Sequence, residues 1–464
     1  MKNIIISVLL FKVFAFATII NIPADHSTIQ EGIDASENGD TVLVSQGSYF
    51  ENLILEKEIV LTSHAIYDDL DSEWINNENI QGTIISGVPE PSNPDFGSCL
   101  VIRDGNIAPT ILGFTFTEGI GTVMVENDNC AIVINRPERS GGAILIYKAY
   151  PTITYNRFIN NGLTGINGEM MANGGAISHF ADDDVEFDED RDNLRNHSHS
   201  NRDIPEELNI QNNYFENNTS GDGKNVYSRG YEGLIDVSYS IFDDIDCESN
   251  SVNDFVLKSR NDYAEYIQSE ISGNCIEGNS LYVSVDGDNN NSGSQANPVK
   301  TIGQALSLVK DDTTITTTIY VGEGIFSPST TGEQFPVSIP DNVHLIGVNR
   351  ETSILDAEAD FINQRRVLVI ERCENVRVAK LTITGGNAEN AACYGGGGIF
   401  ICPPNPKYTG WEMTPSIPVL ENLIVTGNHA YAGGGISIWE QEGPSLTNII
   451  ISNNTATWLG GGIM

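Results

Sequence analysis

The sequence predicts an all-β solenoid made of two tandem copies of one module, and three observations predict it. A tetrad, Gly-Gly-(Ala/Gly)-Ile, recurs at Gly141–Ile144, Gly174–Ile177, Gly396–Ile399, Gly433–Ile436 and Gly460–Ile463. Its isoleucines stand 33 residues apart from Ile144 to Ile177, 37 from Ile399 to Ile436 and 27 from Ile436 to Ile463. Most copies are answered by an apolar stretch ending in Asn: Phe158-Ile159-Asn160-Asn161, Phe215-Glu216-Asn217-Asn218, Ile424-Val425-Thr426-Gly427-Asn428 and Ile451-Ser452-Asn453-Asn454. A loose period of that size, carried by short strands, marks a chain wound into coils. Above it lies a longer repeat, in which Val44 answers Val321 at an offset of 277 residues and Phe114 answers Leu381 at 267.

Taken in order, the chain opens with Lys2, an apolar run Ile4–Phe11 and the small-x-small site Ala15-Phe16-Ala17, the layout of an export signal. Lys12 interrupts the apolar run, and no other run is apolar enough to cross a bilayer. Ser27–Ala35 places apolar residues at 29, 33 and 35, a spacing that suits a short amphipathic helix. Strand Thr41–Val44 follows, then Gly47 and Tyr49. The later copy repeats this with helix Lys300–Leu306, strand Thr318–Val321, Gly324 and Phe326. Thr83–Gly87 is matched by Ser353–Ala357, and Ile111–Gly119 by Val378–Gly386.

Strands such as Leu112–Thr117 alternate apolar and hydroxyl residues, so one face packs inward. A single coil cannot bury that face, so neighbours stack about 4.8 Å apart through parallel backbone pairing. Glycine lets the backbone turn sharply at coil corners, while Asn accepts the left-handed conformation and, stacked, bonds along the axis. Each leading helix is expected to cover an open first coil. The boundaries are a signal at 1–17, a first solenoid at 18–246 with an acidic loop insertion at about 178–207, a linker at 247–280, and a second solenoid at 281–464. The last repeat stops in mid-coil at Met464, so the sequence is expected to be a piece of a longer protein with more coils and an anchoring module.

Composition narrows the partners. With 63 acidic and 24 basic residues the formal net charge is −39, which repels phosphate backbones and excludes nucleic acid. The same field disfavours anionic membranes and polyuronates unless divalent cations bridge, and it keeps an exported protein soluble. Of seven cysteines, Cys247 with Cys275 and Cys393 with Cys402 are placed to pair, and no Cys/His spacing suggests zinc. The chain is expected to act as a monomer.

The Gly-Gly-Ala-Ile and Phe-x-Asn-Asn pattern resembles the repeat of chlamydial polymorphic outer membrane proteins. The wider plan of capping helix, Thr-Val-x-Val strand and stacked coils resembles the pectin-lyase-like superfamily. Leu281–Gly293, running on to Pro298–Ile302, is similar to the opening of an uncharacterised module of secreted β-helix proteins. The resemblance implies a right-handed parallel β-helix, a fold that hosts lyases, hydrolases, adhesins and autotransporter passengers.

The catalytic motifs of those relatives are not assembled here. Polygalacturonase-like hydrolases combine Asn-Thr-Asp, Asp-Asp, Gly-His-Gly and Arg-x-Lys. Here Asp243-Asp244 and Asp68-Asp69 occur, no Gly-His-Gly does, and Arg377-Val378-Ala379-Lys380 has the wrong spacing. Inverting hydrolysis needs an acid and a base carboxylate facing each other across the sugar, which two adjacent Asp in a surface turn do not supply. Pectate-lyase chemistry needs a calcium-neutralised uronate and a Lys or Arg base. Arg136-Pro137-Glu138-Arg139 does not match the lyase Arg-x-Pro-x-x-Arg element.

Two acidic segments carry oxygen ligands at alternating positions that could hold calcium: Asp182 and Asp184 in the insertion, and Asp286, Asp288 and Asn290. Neither is an EF-hand, since Asn291 and Asn297 stand where the second segment would need Gly and Glu. His179, His197 and His199 lie among the charges of the same insertion, where His197-Ser198-His199 could ligate a metal but two His on a polar loop more often face solvent. Tyr147, Tyr150, Trp411, Tyr431, Trp439 and Trp458 flank the tetrads and are either core or coil-edge aromatics or platforms for sugar rings. The expected protein is a secreted or outer-surface scaffold or adhesin that contacts polysaccharide or cell-surface glycans without catalysis. The rival is a carbohydrate-active enzyme, a polysaccharide lyase before a glycoside hydrolase.

Overall fold

The computed structural model describes residues 17–71, 73–87, 91–93, 95–103, 105, 107–126, 136–162, 171–181, 185–187, 204–260, 264–311, 314–371, 373–389, 395–402, 417–439 and 443–464. Nearly all of its regular structure is short strands, and almost every strand pairs in parallel with its counterpart one coil away. Three sheets wind around an apolar core, which makes a parallel β-helix. The Gly-Gly-(Ala/Gly)-Ile strands form one of these sheets, running from Leu53–Leu55 through Ile144–Tyr147 and Ile177–Phe180 to Leu257–Arg260.

The sheets fall into two sets, one spanning Ile19 to Cys275 and one spanning Ser280 to Leu459. The duplicated sequence blocks occupy matching rungs. Thr83–Ser86 and Ser353–Asp356 are each the second strand of their sheet, and Thr115–Thr117 and Thr382–Thr384 are each the third. Of the stretch 247–280, expected to link the two solenoids, the strands up to Cys275 extend the first set, while Ser280 opens the second. Leu257–Arg260, Glu265–Ile267 and Ser272–Cys275 each extend one sheet of the first set. The stretch falls between the two duplicated copies, but Val252, Val256, Leu257 and Ile271 are buried in the first core. Cys247 and Cys275 close this coil as a disulfide.

The repeat residues do what their chemistry dictates. Gly141, first in its tetrad, has φ +64°, and a Cβ on Gly142 would lie 2.0 Å from the Gly175 carbonyl oxygen. A side chain would strain the first and collide at the second. In each Asn pair the leading residue takes the left-handed turn, as Asn160 (φ 56°) and Asn217 (φ 53°) do. The second points inward and bonds along the axis. Asn161 donates to Asn218 Oδ1 at 3.1 Å, and Asn428 donates to Asn454 Oδ1 at 3.0 Å. Inside the first set, Phe116, Phe158, Phe215 and Phe242 stack ring on ring at 5.4, 5.2 and 5.1 Å. These ladders satisfy buried amides and fill the core with one side chain per rung.

Among the described residues three α-helices interrupt the coils: α1 (Ile29–Ala35), α2 (Glu78–Gly82) and α3 (Ile302–Ser307). Helix α1 buries Ile29 and Ile33 at the start of the first core, as expected for a lid. Helix α3 opens the second core and also meets the last coil of the first. Asn253 Nδ2 donates to the Leu306 and Val309 carbonyls at 3.0 and 2.6 Å, and Phe255 belongs to the second core.

Candidate functional site

Long connections gather at the edges of the tetrad sheet. The antiparallel pair Gly121–Glu126 and Arg136–Ser140 precedes one of its strands, and the acidic insertion follows Phe180. The outward side chains of this sheet run from Leu145 past Ser178 and Tyr227 to Lys258, where the first set ends. Lys258 Nζ lies 3.2 Å from Asp254 Oδ2 and keeps 28% of its side-chain surface exposed. Burial works against its charge, but the fields of Asp254, Asp222, Cys373 and Glu371 prevail and hold the ammonium well above its ordinary pKa. Asp222 is pushed up to about 6, chiefly by burial. Basic and acidic groups therefore converge where the two sets of sheets meet.

Proton abstraction needs a base with a pKa near the working pH, and a raised ammonium is the opposite. Lys258 is set up to stay charged. Asp222 is the group an enzyme would use, since a carboxyl titrating near neutrality can serve as an acid. Other charges are consumed by structure. Lys224 Nζ reaches Asp243 Oδ2 at 3.0 Å and Gln304 Oε1 at 3.1 Å, tying the first set to α3. Arg139 is 1% exposed and donates from Nη1 to the Gly121 carbonyl at 2.7 Å. Arg377 pairs with Glu421, and Lys380 sits at a turn with φ 56°.

A second cluster lies on the outer face of three short strands, Asn387–Ala388, His429–Ala432 and Thr455–Leu459. Tyr431 and Trp458, on successive coils, bring their rings to 5.6 Å at an interplanar angle of 31°. Beside them Glu389 Oε2 lies 2.8 Å from His429 Nε2 and accepts from Thr457 Oγ1 at 2.8 Å. A further stacked pair, Tyr282 with Tyr320, stands 5.0 Å apart on the outer face of strands Ser280–Val283 and Thr317–Val321.

The sequence-predicted residues separate accordingly. Asp286, Asp288 and Asn290 share one exposed loop, where Asp288 Oδ1 accepts from the Asn290 backbone at 3.0 Å and its side chain at 2.8 Å. Those bonds lower the Asp288 pKa. Asp182, Asp184, His197, His199, Cys393 and Trp411 lie outside the described residues, as do residues 1–16 of the export signal. Among the described residues no group of three His, Cys, Asp or Glu is arranged to hold a metal. His179 was counted among the charges of the insertion, yet it sits in strand Ile177–Phe180 with no exposed surface. The alternation of the tetrad strand turns it inward against Tyr150 and Tyr231, at ring distances of 5.6 and 5.2 Å, and burial lowers its pKa to about 4. Asp243-Asp244, read as a surface turn, lies in strand Ile241–Ile245 at a register shift. Tyr150 is only 7% exposed, whereas Trp439 is 41% and Trp458 60% exposed.

Two carboxylates escaped the sequence reading. Glu51 accepts from the Ile29 and Gln30 backbone amides, each at 3.0 Å, and Glu333 accepts from those of Ile302 and Gly303 at 2.6 and 3.0 Å. They are the same device in the two sets, satisfying the first amides of each lid helix. Gly47 and Gly324 mark the equivalent strands, but Glu51 follows its glycine by four residues and Glu333 by nine, which breaks the register. Glu389 and Thr457 were missed because they lie 68 residues apart and meet only across coils.

Residues 285–456 match the model of a family described as a protein of unknown function (DUF1565). No curated protein matches the chain. Among solved structures the chain is similar to a polygalacturonase from Erwinia carotovora ssp. carotovora, at 11% identity over 96% of this chain and 94% of that one, with a TM-score of 0.28. A family 28 exopolygalacturonase of Yersinia enterocolitica is similar at 9% identity over 97% of this chain and 78% of that one, with a TM-score of 0.28. The A-module of a mannuronan C-5 epimerase from Azotobacter vinelandii is similar at 9% identity over 93% and 94%, with a TM-score of 0.21. Such likeness transfers neither substrate nor catalytic residues.

Proposed function

We propose that this protein is an exported scaffold that holds glycans on the outer faces of its coils and performs no catalysis in residues 1–464. The division into a signal at 1–17 and two solenoids belongs to this reading, with the first extended through Cys275. The observation that carries the reading is the pair of aromatic stacks on outer faces, Tyr431 with Trp458 and Tyr282 with Tyr320, each spanning adjacent coils. Aromatic rings partly open to water present an apolar body to the C–H face of a sugar and leave polar neighbours free to meet its hydroxyls. Lys224, Arg139, Glu51 and Glu333 are engaged in holding coils and lids together.

The test is retention of purified protein on immobilised neutral and uronate-containing glycans, with and without calcium. Saturable retention supports the reading, and its absence on every glycan sinks it. The raised Asp222 carboxyl beside Lys258 favours one alternative, a polysaccharide-cleaving enzyme working at the junction.

A further inference from the structure

The two sets of sheets open with the same backbone pairing, and one difference between them falls beside the export signal. In the first set Ile19 pairs with Thr41, whose amide donates to the Thr18 carbonyl at 2.8 Å. In the second Ser280 pairs with Thr318, whose amide donates to the Asn279 carbonyl at 3.0 Å. Thr18 therefore answers Asn279, and Asp40 answers Thr317 at the same 277-residue offset that relates Val44 to Val321. The backbone bond is kept in both sets, but the carboxylate stands only in the first.

Asp40 Oδ1 accepts from the Thr18 backbone nitrogen at 2.7 Å, and Oδ2 accepts from the Glu37 amide at 2.8 Å. Asp40 is 8% exposed, and the Glu37 and Thr18 amides hold its carboxyl below the ordinary value. Lys57, whose field also reaches Asp40, is committed elsewhere: its Nζ lies 2.8, 2.8 and 2.7 Å from the carbonyl oxygens of Ile33, Asp34 and Ser36. His26 and Glu37 line one hollow with Thr18 and Asp40, and Glu58 stands across the turn, its carbonyl accepting from the Gly39 amide at 2.8 Å. The Thr18 nitrogen on Asp40 is the one that gains a full charge when the chain is cut immediately before it.

We propose that removal of the export signal between Ala17 and Thr18 leaves a Thr18 α-ammonium seated on Asp40, an ion pair that holds the first strand of the processed protein in place. This inference rests on the export reading above and adds the cleaved bond and the group that receives the new terminus. Ala15 and Ala17 are the small residues that a leader-removing endopeptidase reads. Such an enzyme adds water across the Ala17–Thr18 peptide bond: the hydroxyl goes to the Ala17 carbonyl carbon, the C–N bond breaks, and the Thr18 nitrogen takes the proton. The acid formed at Ala17 then ionises, and its proton completes the ammonium. A neutral donor on Asp40 becomes a charged one, and charge-assisted bonds are the stronger kind. At the second set the chain runs on unbroken from Cys275 to Ser280, so no terminus arises where Thr317 replaces the carboxylate.

The experiment secretes the full sequence and reads the product by N-terminal sequencing and intact mass. Thr18 is expected as the first residue, and any other start overturns the proposal. Unfolding of that chain is then compared with one beginning at Ala17, each with Asp40 and with Asp40→Asn. Loss of the Glu37 bond is common to both chains and cancels in the cycle. Asp40→Asn should raise the unfolding constant about threefold more in the Thr18 chain than in the Ala17 chain, the size of a half-exposed ion pair. A raised ammonium stabilises fully below about pH 8, the ordinary α-amino value, so this excess should fade as pH rises through the folded value. Competitive acylation of the α-amine on the unaltered chain reads the same charge without a variant, with an apparent pKa above about 8 expected. A lower value, or an equal cost of Asp40→Asn in both chains, sinks the ion pair and leaves the export reading standing. A product that keeps its leader sinks both.

Discussion

Helices α1 and α3 perform one task in two settings, and the contrast shows how context changes a repeated local device. Each begins at a threonine cap, Thr28 and Thr301, whose side chain accepts a backbone amide in the first turn. Each has its first amides received by a carboxylate from a later strand, Glu51 and Glu333. Helix α1 closes the start of the first core. Helix α3 lies between a core in front and the last coil of the other set behind, and Glu333 is 1% exposed. Burial then raises the Glu333 pKa to about 7 despite the amides it accepts. The same carboxylate that any surface helix would carry has become a titrating group at the centre of the molecule.

The largest expected effect comes from the coil that α3 rests on. Replacing Cys247 and Cys275 together by Ser removes a cross-link between residues 28 apart, worth about 3.6 kcal/mol by the loop-closure model. Hydrogen exchange should speed at Ile302–Ser307 while Ile29–Ala35 is unaffected; equal loosening of both helices would erase the distinction between them. Next, Glu333→Ala strands two buried amides at about 1–3 kcal/mol apiece, whereas water can replace Glu51, so Glu51→Ala should cost less. Urea midpoints of the two variants decide this, and a larger loss for Glu51→Ala would refute the burial argument.

The pH dependence has a defined sign. A carboxyl raised in the folded state stabilises fully below the ordinary value of 4.5, and that contribution is lost as pH rises through about 7. Asp222, raised to about 6, slopes the same way. His179, lowered to about 4, slopes the other way, because its neutral burial stabilises above pH 6.5 and is lost as pH falls towards 4. Total stability therefore mixes these trends, but Glu333→Gln should flatten the decline between pH 4.5 and 7 relative to the parent. An unchanged difference curve would show that Glu333 titrates normally. The smallest effect is the cap itself. Thr28→Ala and Thr301→Ala should each cost about 1 kcal/mol, and nearly equally, since each threonine accepts its amide at 3.1 Å.

The lids and the coil plan were legible because their signals are local. Gly141 and Gly142 announce a corner, Asn160 and Asn161 announce a turn with an inward ladder, and Ile29 with Ile33 announces a one-faced helix. The site was legible only in part. Trp458 and Tyr431 could be singled out as aromatics near tetrads, but their meeting on successive coils leaves no mark in a sequence. Glu389 and Thr457 meet only across stacked coils, and loops of unequal length between repeats hide such meetings. His179 misled because it is polar and next to acidic residues, while strand alternation alone decides that it faces inward.

The account holds that charge convergence at the junction serves structure and that recognition belongs to exposed rings. Its most direct test is product formation by the full chain from uronate and neutral polysaccharides between pH 5 and 9, with and without calcium, followed as unsaturated ends and reducing ends. The account predicts no product above a heat-denatured blank. Turnover that vanishes in Asp222→Asn or Lys258→Met, with folding intact, would contradict it.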